Sequence, residues 1–285
     1  MTNCARCRLV PVLAVGAVLT LCIASPPAYG INLAVRSGPG VSAQAAGEIQ
    51  RTLLEADDFL SAEFSITVSR QVRVHLSATA EAYVDSILRT GVRVNETLAR
   101  MGLTPGGHWM MVDAASQIFI NLGHPATGDQ TRFLSDLAHE MVHIYHQELS
   151  GWRGSPYAWI QEGTAEVFAK HFLHHKGLIV YPQTIAAAAN LLRERQSVGG
   201  LPSLGSLTTP DLWERRAHTL TRRVVYATAL VAVDYLVQQK GKDALFRYFR
   251  LFRAEPEPEA AFVQAFGQTS LEFNQRLHGY VREAR

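Results

Sequence analysis

The sequence predicts an α+β fold: an N-terminal mixed α/β lobe with a small sheet, followed by a mostly helical lobe. Three observations carry that prediction. Phe64-Ser65-Ile66-Thr67-Val68 and Val72-Arg73-Val74-His75-Leu76 alternate apolar and polar residues, the two-residue period of a half-buried strand. From residue 129 onward apolar residues recur every three or four positions, as on a helix with one buried face. Glycine and proline punctuate that second half where helices should end, as at Gly151, Pro156, Gly241, Pro256 and Pro258.

The elements follow in order. Residues 41–60 read as a helix with Ile49, Leu53, Leu54 and Leu60 as its apolar stripe. The two alternating segments come next as strands. Ser77 and Thr79 suit the N-cap of a helix over 79–89. Residues 109–112 and 117–122 read as two further strands, and Gly123-His124-Pro125 ends the second. Residues 129–150 read as one helix: Phe133, Leu134, Leu137, Ala138, Met141, Val142 and Tyr145 share a face. Asp129 lies at its start, where an anion suits the helix dipole, and Gly151 follows its end. Ser155-Pro156-Tyr157 breaks the chain before a helix over 159–172. Val198-Gly199-Gly200-Leu201-Pro202-Ser203 marks a loop over 196–210, and helices are expected over 227–239, 243–253, 258–266 and 270–283.

The first thirty residues are a different kind of sequence. Arg6 and Arg8 precede an apolar run over 9–24, and Ala28-Tyr29-Gly30 is a small-x-small triplet. That layout predicts a secretory signal peptide over 1–30, hence an exported protein of the periplasm, cell envelope or extracellular space. The apolar run falls short of the ~20 residues of a spanning helix, so a membrane enters only if the leader is retained as an anchor. The three cysteines, Cys4, Cys7 and Cys22, all lie in this leader. The rest of the chain offers no disulfide, no cysteine nucleophile and no thiolate metal site. Arg6 and Arg8 are also the leader's only charges, and the other 25 basic residues equal the 25 acidic ones. Nothing in that balance suggests a nucleic-acid partner. The expected organisation is a signal peptide over 1–30, an α+β lobe over 31–128 and a helical lobe over 129–285.

The chemistry is concentrated in two helices. His139-Glu140-Met141-Val142-His143 is an H-E-x-x-H motif inside the first. Residues four apart share a helix face, so His139 and His143 can hold one metal ion, with Glu140 beside them to take a proton from water. On the second helix, Glu162 and Glu166 are again four apart. Glu162 is the expected third ligand. Glu166 is expected to accept the N–H of a ligand histidine and fix its tautomer. Two imidazoles and a carboxylate suit one zinc ion per chain, with a fourth position open for water.

H-E-M-V-H followed by W-I-Q-E-G-T-A-E resembles the gluzincin zinc metallopeptidases, and among them the peptidase MA-like bacterial proteins. The likeness is specific over 129–172 and looser beyond. A metzincin would need glycine at His146 and histidine at Leu149, so that pattern fails. The resemblance implies a zincin-like fold with the zinc site between the lobes. It implies His139, His143 and Glu162 as ligands and Glu140 as the general base of a metal-activated water. It also implies a peptide or protein substrate laid along an edge strand, for which 117–122 is the candidate by position. Tyr226, downstream of the glutamate, is the expected oxyanion donor, with His218 as the alternative. Residues 106–123 lack the G-x-M-E-N strand of the aminopeptidase branch, Asp113 being their only acid, which points away from an exopeptidase. Two other functions fit the same residues: a zinc-dependent hydrolase of a different amide, or a non-catalytic envelope scaffold stabilised by zinc.

Overall fold

A computed structural model describes residues 30–90, 109–113, 115–153 and 156–283. The predicted leader, Gly30 apart, lies outside the described residues. The described part is mostly helical with one four-stranded sheet.

The sheet comprises β1 (Leu33–Ser37), β2 (Val72–Ser77), β3 (Met110–Val112) and β4 (Gln117–Asn121), in the order β1-β2-β4-β3. The first two pairings are parallel, and β3 runs antiparallel to β4. Parallel neighbours need a crossover, which helix α1 (Ala43–Phe64) supplies between β1 and β2. Alternation then sorts the two faces. Val72, Val74, Ile118 and Ile120 join Leu53, Ala56 and Leu60 of α1 in the main core, while Phe119 meets Tyr83, Val84 and Ile87 of α2 (Ala80–Arg89) on the other side.

The helical part follows as α3 (Gln130–Ser150), α4 (Ala158–His175), α5 (Tyr181–Gly199), α6 (Pro210–Leu220), α7 (Arg222–Lys240), α8 (Lys242–Leu251), α9 (Pro258–Phe266) and α10 (Ser270–Glu283). Asp129 caps α3 by accepting the Arg132 N–H, and Gly151 ends it in the left-handed region at φ 65°. One hydrophobic core runs from Ile31 to Val281 and includes the inner faces of α1, α3, α4 and α7. No described helix is long and apolar enough to cross a membrane.

Four expectations need correction. The strand expected over 64–68 does not form. Phe64 is instead the last residue of α1, packed against Tyr145, Phe168 and Phe246 with ring centroids 4.4–5.2 Å away. Burying a phenylalanine is worth about 2–3 kcal/mol, more than a short stretch of strand propensity can offset. Ser65 then turns the chain in the left-handed region at φ 53°. β1 is absent from the sequence-based expectation, because only five residues of modest alternation carry it. The candidate edge strand is not an edge: β4 pairs on both sides and all five of its residues are buried. The edge is β3, and the chain reaches it before β4. Finally, α7 begins at Arg222 rather than 227, so Tyr226 lies within the helix instead of before it.

Candidate metal centre

The motif helix α3 and the following helix α4 pack side by side, and they bring three potential ligands to one point. His139 Nε2 and His143 Nε2 lie 3.1 Å apart. Glu162 reaches both, with Oε2 at 3.3 Å from His139 Nε2 and Oε1 at 3.6 Å from His143 Nε2. One ligand atom from each of the three falls within 4.8 Å of the others, and among the described residues this is the only such group. Nitrogen ligands about 2.0–2.1 Å from a tetrahedral zinc stand roughly 3.3 Å from one another. Separation and donor chemistry therefore both fit that ion.

The orientation of His139 comes from Glu166, whose Oε1 lies 3.1 Å from Nδ1. With Nδ1–H donating there, the neutral form of the ring presents its Nε2 lone pair to the convergence point. Lys170, a further turn along α4, holds the other oxygen of Glu166 at 3.3 Å and donates to Ser135 Oγ at 2.7 Å. Burial alone would raise the Glu166 pKa, but Lys170 and His139 bring it down to about 2, so it stays an anion. Sequence reasoning missed Lys170, although Glu166 and Lys170 stand at the i, i+4 spacing of a helix ion pair.

Electrostatics differ sharply among neighbours on α3. Burial pushes the Glu140 carboxyl up to about 8, with Glu162 and Asp136 adding to the effect and His139 and the Val112 backbone opposing it. Burial brings His143 down to about 4. Burial opposes charge on His139 as well, but the carboxylates of Glu162 and Glu166 outweigh it and hold the imidazolium well above its ordinary range. A divalent cation at the convergence point would reverse this last effect and favour ionised Glu140.

These residues open on a cleft of about 350 Å³ whose other wall is β3, through Met110, Met111 and Val112. The cleft thus lies where β3 meets α3. Asp113 fixes that wall. Its Oδ1 accepts the N–H groups of Ala115 and Gln117, its Oδ2 accepts Gln117 Nε2, and its carbonyl accepts Gln147 Nε2 of α3 at 2.9 Å. Its carboxylate is therefore engaged in the β3–β4 turn. Glu140 lines the same cleft as Val112, so the edge lies beside the motif. Neither feature is legible in the sequence, because both depend on the pairing of a three-residue strand.

Tyr226 reaches the cleft from α7, with its ring centroid 6.1 Å from that of His139 and Trp213 edge-on to it at 5.0 Å. Burial holds its phenol well above the ordinary range, so it remains an O–H donor at neutral pH. His218 is exposed in the last turn of α6 and does not line the cleft. His146 is buried one turn beyond His143, stacked on Phe249 at 4.1 Å, outside the ligand group. His171, His174 and His175 are occupied by Tyr181, the Ile179 carbonyl and Phe59 respectively.

No protein-family model matches the chain, and no curated protein sequence matches it. Among solved structures it is similar to an M1 zinc metallopeptidase from Deinococcus radiodurans, a mutant crystallised with a Tyr-Ser-Ala substrate. The match has a TM-score of 0.44 at 15% identity and covers 89% of this chain. It takes in 48% of the other, so this chain spans about half that protein's length.

Proposed function

We propose that this protein is an exported zinc metallopeptidase of the gluzincin type, with the peptidase MA-like proteins as its family and one zinc per chain. The convergence of His139, His143 and Glu162 beside Glu140, facing the β3 edge, carries this reading. An ion held by those three ligands would supply Lewis-acid polarisation of the peptide carbonyl and a more acidic water.

The chain's own residues supply the rest. Glu140, as carboxylate, accepts a proton from the attacking water and returns it to the departing amine. Tyr226 donates its O–H to the oxyanion that develops on the carbonyl. Glu166, itself braced by Lys170, keeps the His139 lone pair on Nε2. Among the described residues no strand pairs with the outer edge of β3, so that edge offers backbone groups to an extended peptide. This favours a peptide over another amide as substrate. The cleft would then lie between the lobes expected at 31–128 and 129–285, and with Asp113 engaged in the turn, no other acid among the described residues of that wall is left to grip a free amine.

The test is peptide hydrolysis by the zinc-loaded protein and its Glu140→Gln variant, with bound metal measured in both. Loss of hydrolysis by at least about a hundredfold with unchanged zinc is expected, as for removal of a general base. Hydrolysis that survives in Glu140→Gln rules out the mechanism.

A further inference from the structure

Ile31 is the first core residue among those described. Its side chain is 7% exposed, whereas Gly30 before it is exposed with open space around it. The Asn32 carbonyl accepts the Val72 N–H at 2.8 Å, and Asn32 Oδ1 accepts Gln71 Nε2 at 3.2 Å, so the start of β1 is pinned in place.

The Ile31 nitrogen faces an unusual partner. It donates to Oδ2 of Asp57 at 3.1 Å. Asp57 lies on α1, 3% exposed, and its Oδ1 accepts the Tyr145 hydroxyl at 2.6 Å. The same hydroxyl also reaches the Asp57 carbonyl at 3.2 Å. Tyr145 sits on α3, two residues after His143. Among the described residues no lysine, arginine or histidine pairs with Asp57. Burial pushes its carboxyl up, against the pull of Tyr145 and Ile31. A buried carboxylate with two neutral donors and no cation is costly, and an uncharged residue of similar shape would avoid that cost.

A cation can be made at this spot by one bond cleavage. Ala28-Tyr29-Gly30 is a small-x-small triplet, and the bond after it is the Ile31 amide that already faces Asp57. We propose that a leader peptidase cuts between Gly30 and Ile31, and that the α-ammonium so formed is the buried counter-ion of Asp57. Water adds across the C–N bond. Its oxygen leaves as part of the Gly30 carboxylate, and the Ile31 amine takes a proton and is a cation at pH 7. One N–H stays on Asp57, and the others gain access to water where Gly30 stood. Through Asp57 and Tyr145 the new terminus is joined to the helix that carries His139 and His143, so processing completes the packing of α1 against α3.

The full chain, expressed with its leader in an exporting bacterial host, provides the first test. Intact mass and N-terminal sequencing should give a terminus at Ile31. A terminus elsewhere, or an uncut chain, overturns the proposal. The second test compares protein starting at Ile31 with protein that retains Gly30, each with Asp57 and with Asp57→Asn. With Asp57, retention of Gly30 should lower the melting temperature by about 5 °C, as expected when a buried charge-assisted bond is lost from a chain of this size. In the Asp57→Asn pair that difference should vanish. Equal melting of the two forms that keep Asp57, or a difference of the same size in the Asp57→Asn pair, overturns it. Should Asp57→Asn fail to fold, the two Asp57 forms alone decide. None of these readouts uses hydrolysis, so the outcome is separate from that of the peptidase reading.

Discussion

Gly163 and Ala229 meet backbone to backbone where α4 crosses α7. A Cβ at residue 163 would overlap the Ala229 carbonyl and the Val233 side chain. This contact explains the glycine that directly follows Glu162. It lets α7 approach closely enough for Tyr226 to face the ligand group. Gly163→Ala gains up to about 1 kcal/mol of helix propensity, but the overlap with rigid backbone costs about 3 kcal/mol, so a net loss near 2 kcal/mol is expected. Denaturant unfolding measures it. Tyr226→Phe is the companion: stability close to wild type, but kcat lower by about a hundredfold. A Gly163→Ala protein as stable as the parent would show that the helices can part without cost.

With zinc bound as proposed, Glu166 would act on it through His139. Glu166→Gln keeps the shape and one acceptor oxygen but removes the charge that Lys170 and His139 share. Zinc affinity is expected to fall by roughly 10–100-fold. Competition with a chromophoric chelator reads this directly, and an unchanged affinity would mean that His139 is oriented by packing alone.

Protonation gives a third expectation. In metal-free protein at pH 7, Glu140, held up at about 8 by burial, is mostly neutral, and His139, held up by Glu162 and Glu166, is charged. A cation entering the site displaces the His139 proton and favours ionised Glu140, so zinc uptake at pH 7 should release protons. At about pH 9, above the Glu140 value, its share disappears and the release is smaller. Glu140→Gln should release fewer protons than the parent at pH 7 and the same number at about pH 9. Binding heats in buffers of different ionisation enthalpy count the protons. Uptake at pH 7 with no proton release would contradict the assigned states.

The two helices that carry the candidate ligands are legible from the sequence because their signals are local. Asp129, Gly151 and the apolar stripe of α3 define that helix within one or two residues, and the four-residue spacings put His139 beside His143 and Glu162 beside Glu166. The sheet half is less legible because its order depends on contacts distant in sequence. β4 has the stronger strand pattern, yet its position between β2 and β3 makes it interior, and the shorter β3 becomes the wall of the cleft. Phe64 shows the same limit. Its alternating neighbours suggest a strand, but a pocket formed by Tyr145, Phe168 and Phe246 holds it at the end of a helix. The meaning of Gly163 is hidden likewise, since only the approach of α7 makes a side chain impossible there.

Metal content tests the central claim most directly. Protein spanning residues 31–285 and its Glu162→Ala variant would be purified, dialysed against zinc and assayed for bound metal. The account predicts about one zinc per chain in the parent and a large loss of affinity in the variant, because two histidines alone leave the site without its carboxylate. No zinc in the parent, or equal zinc in both, would contradict a centre built from His139, His143 and Glu162.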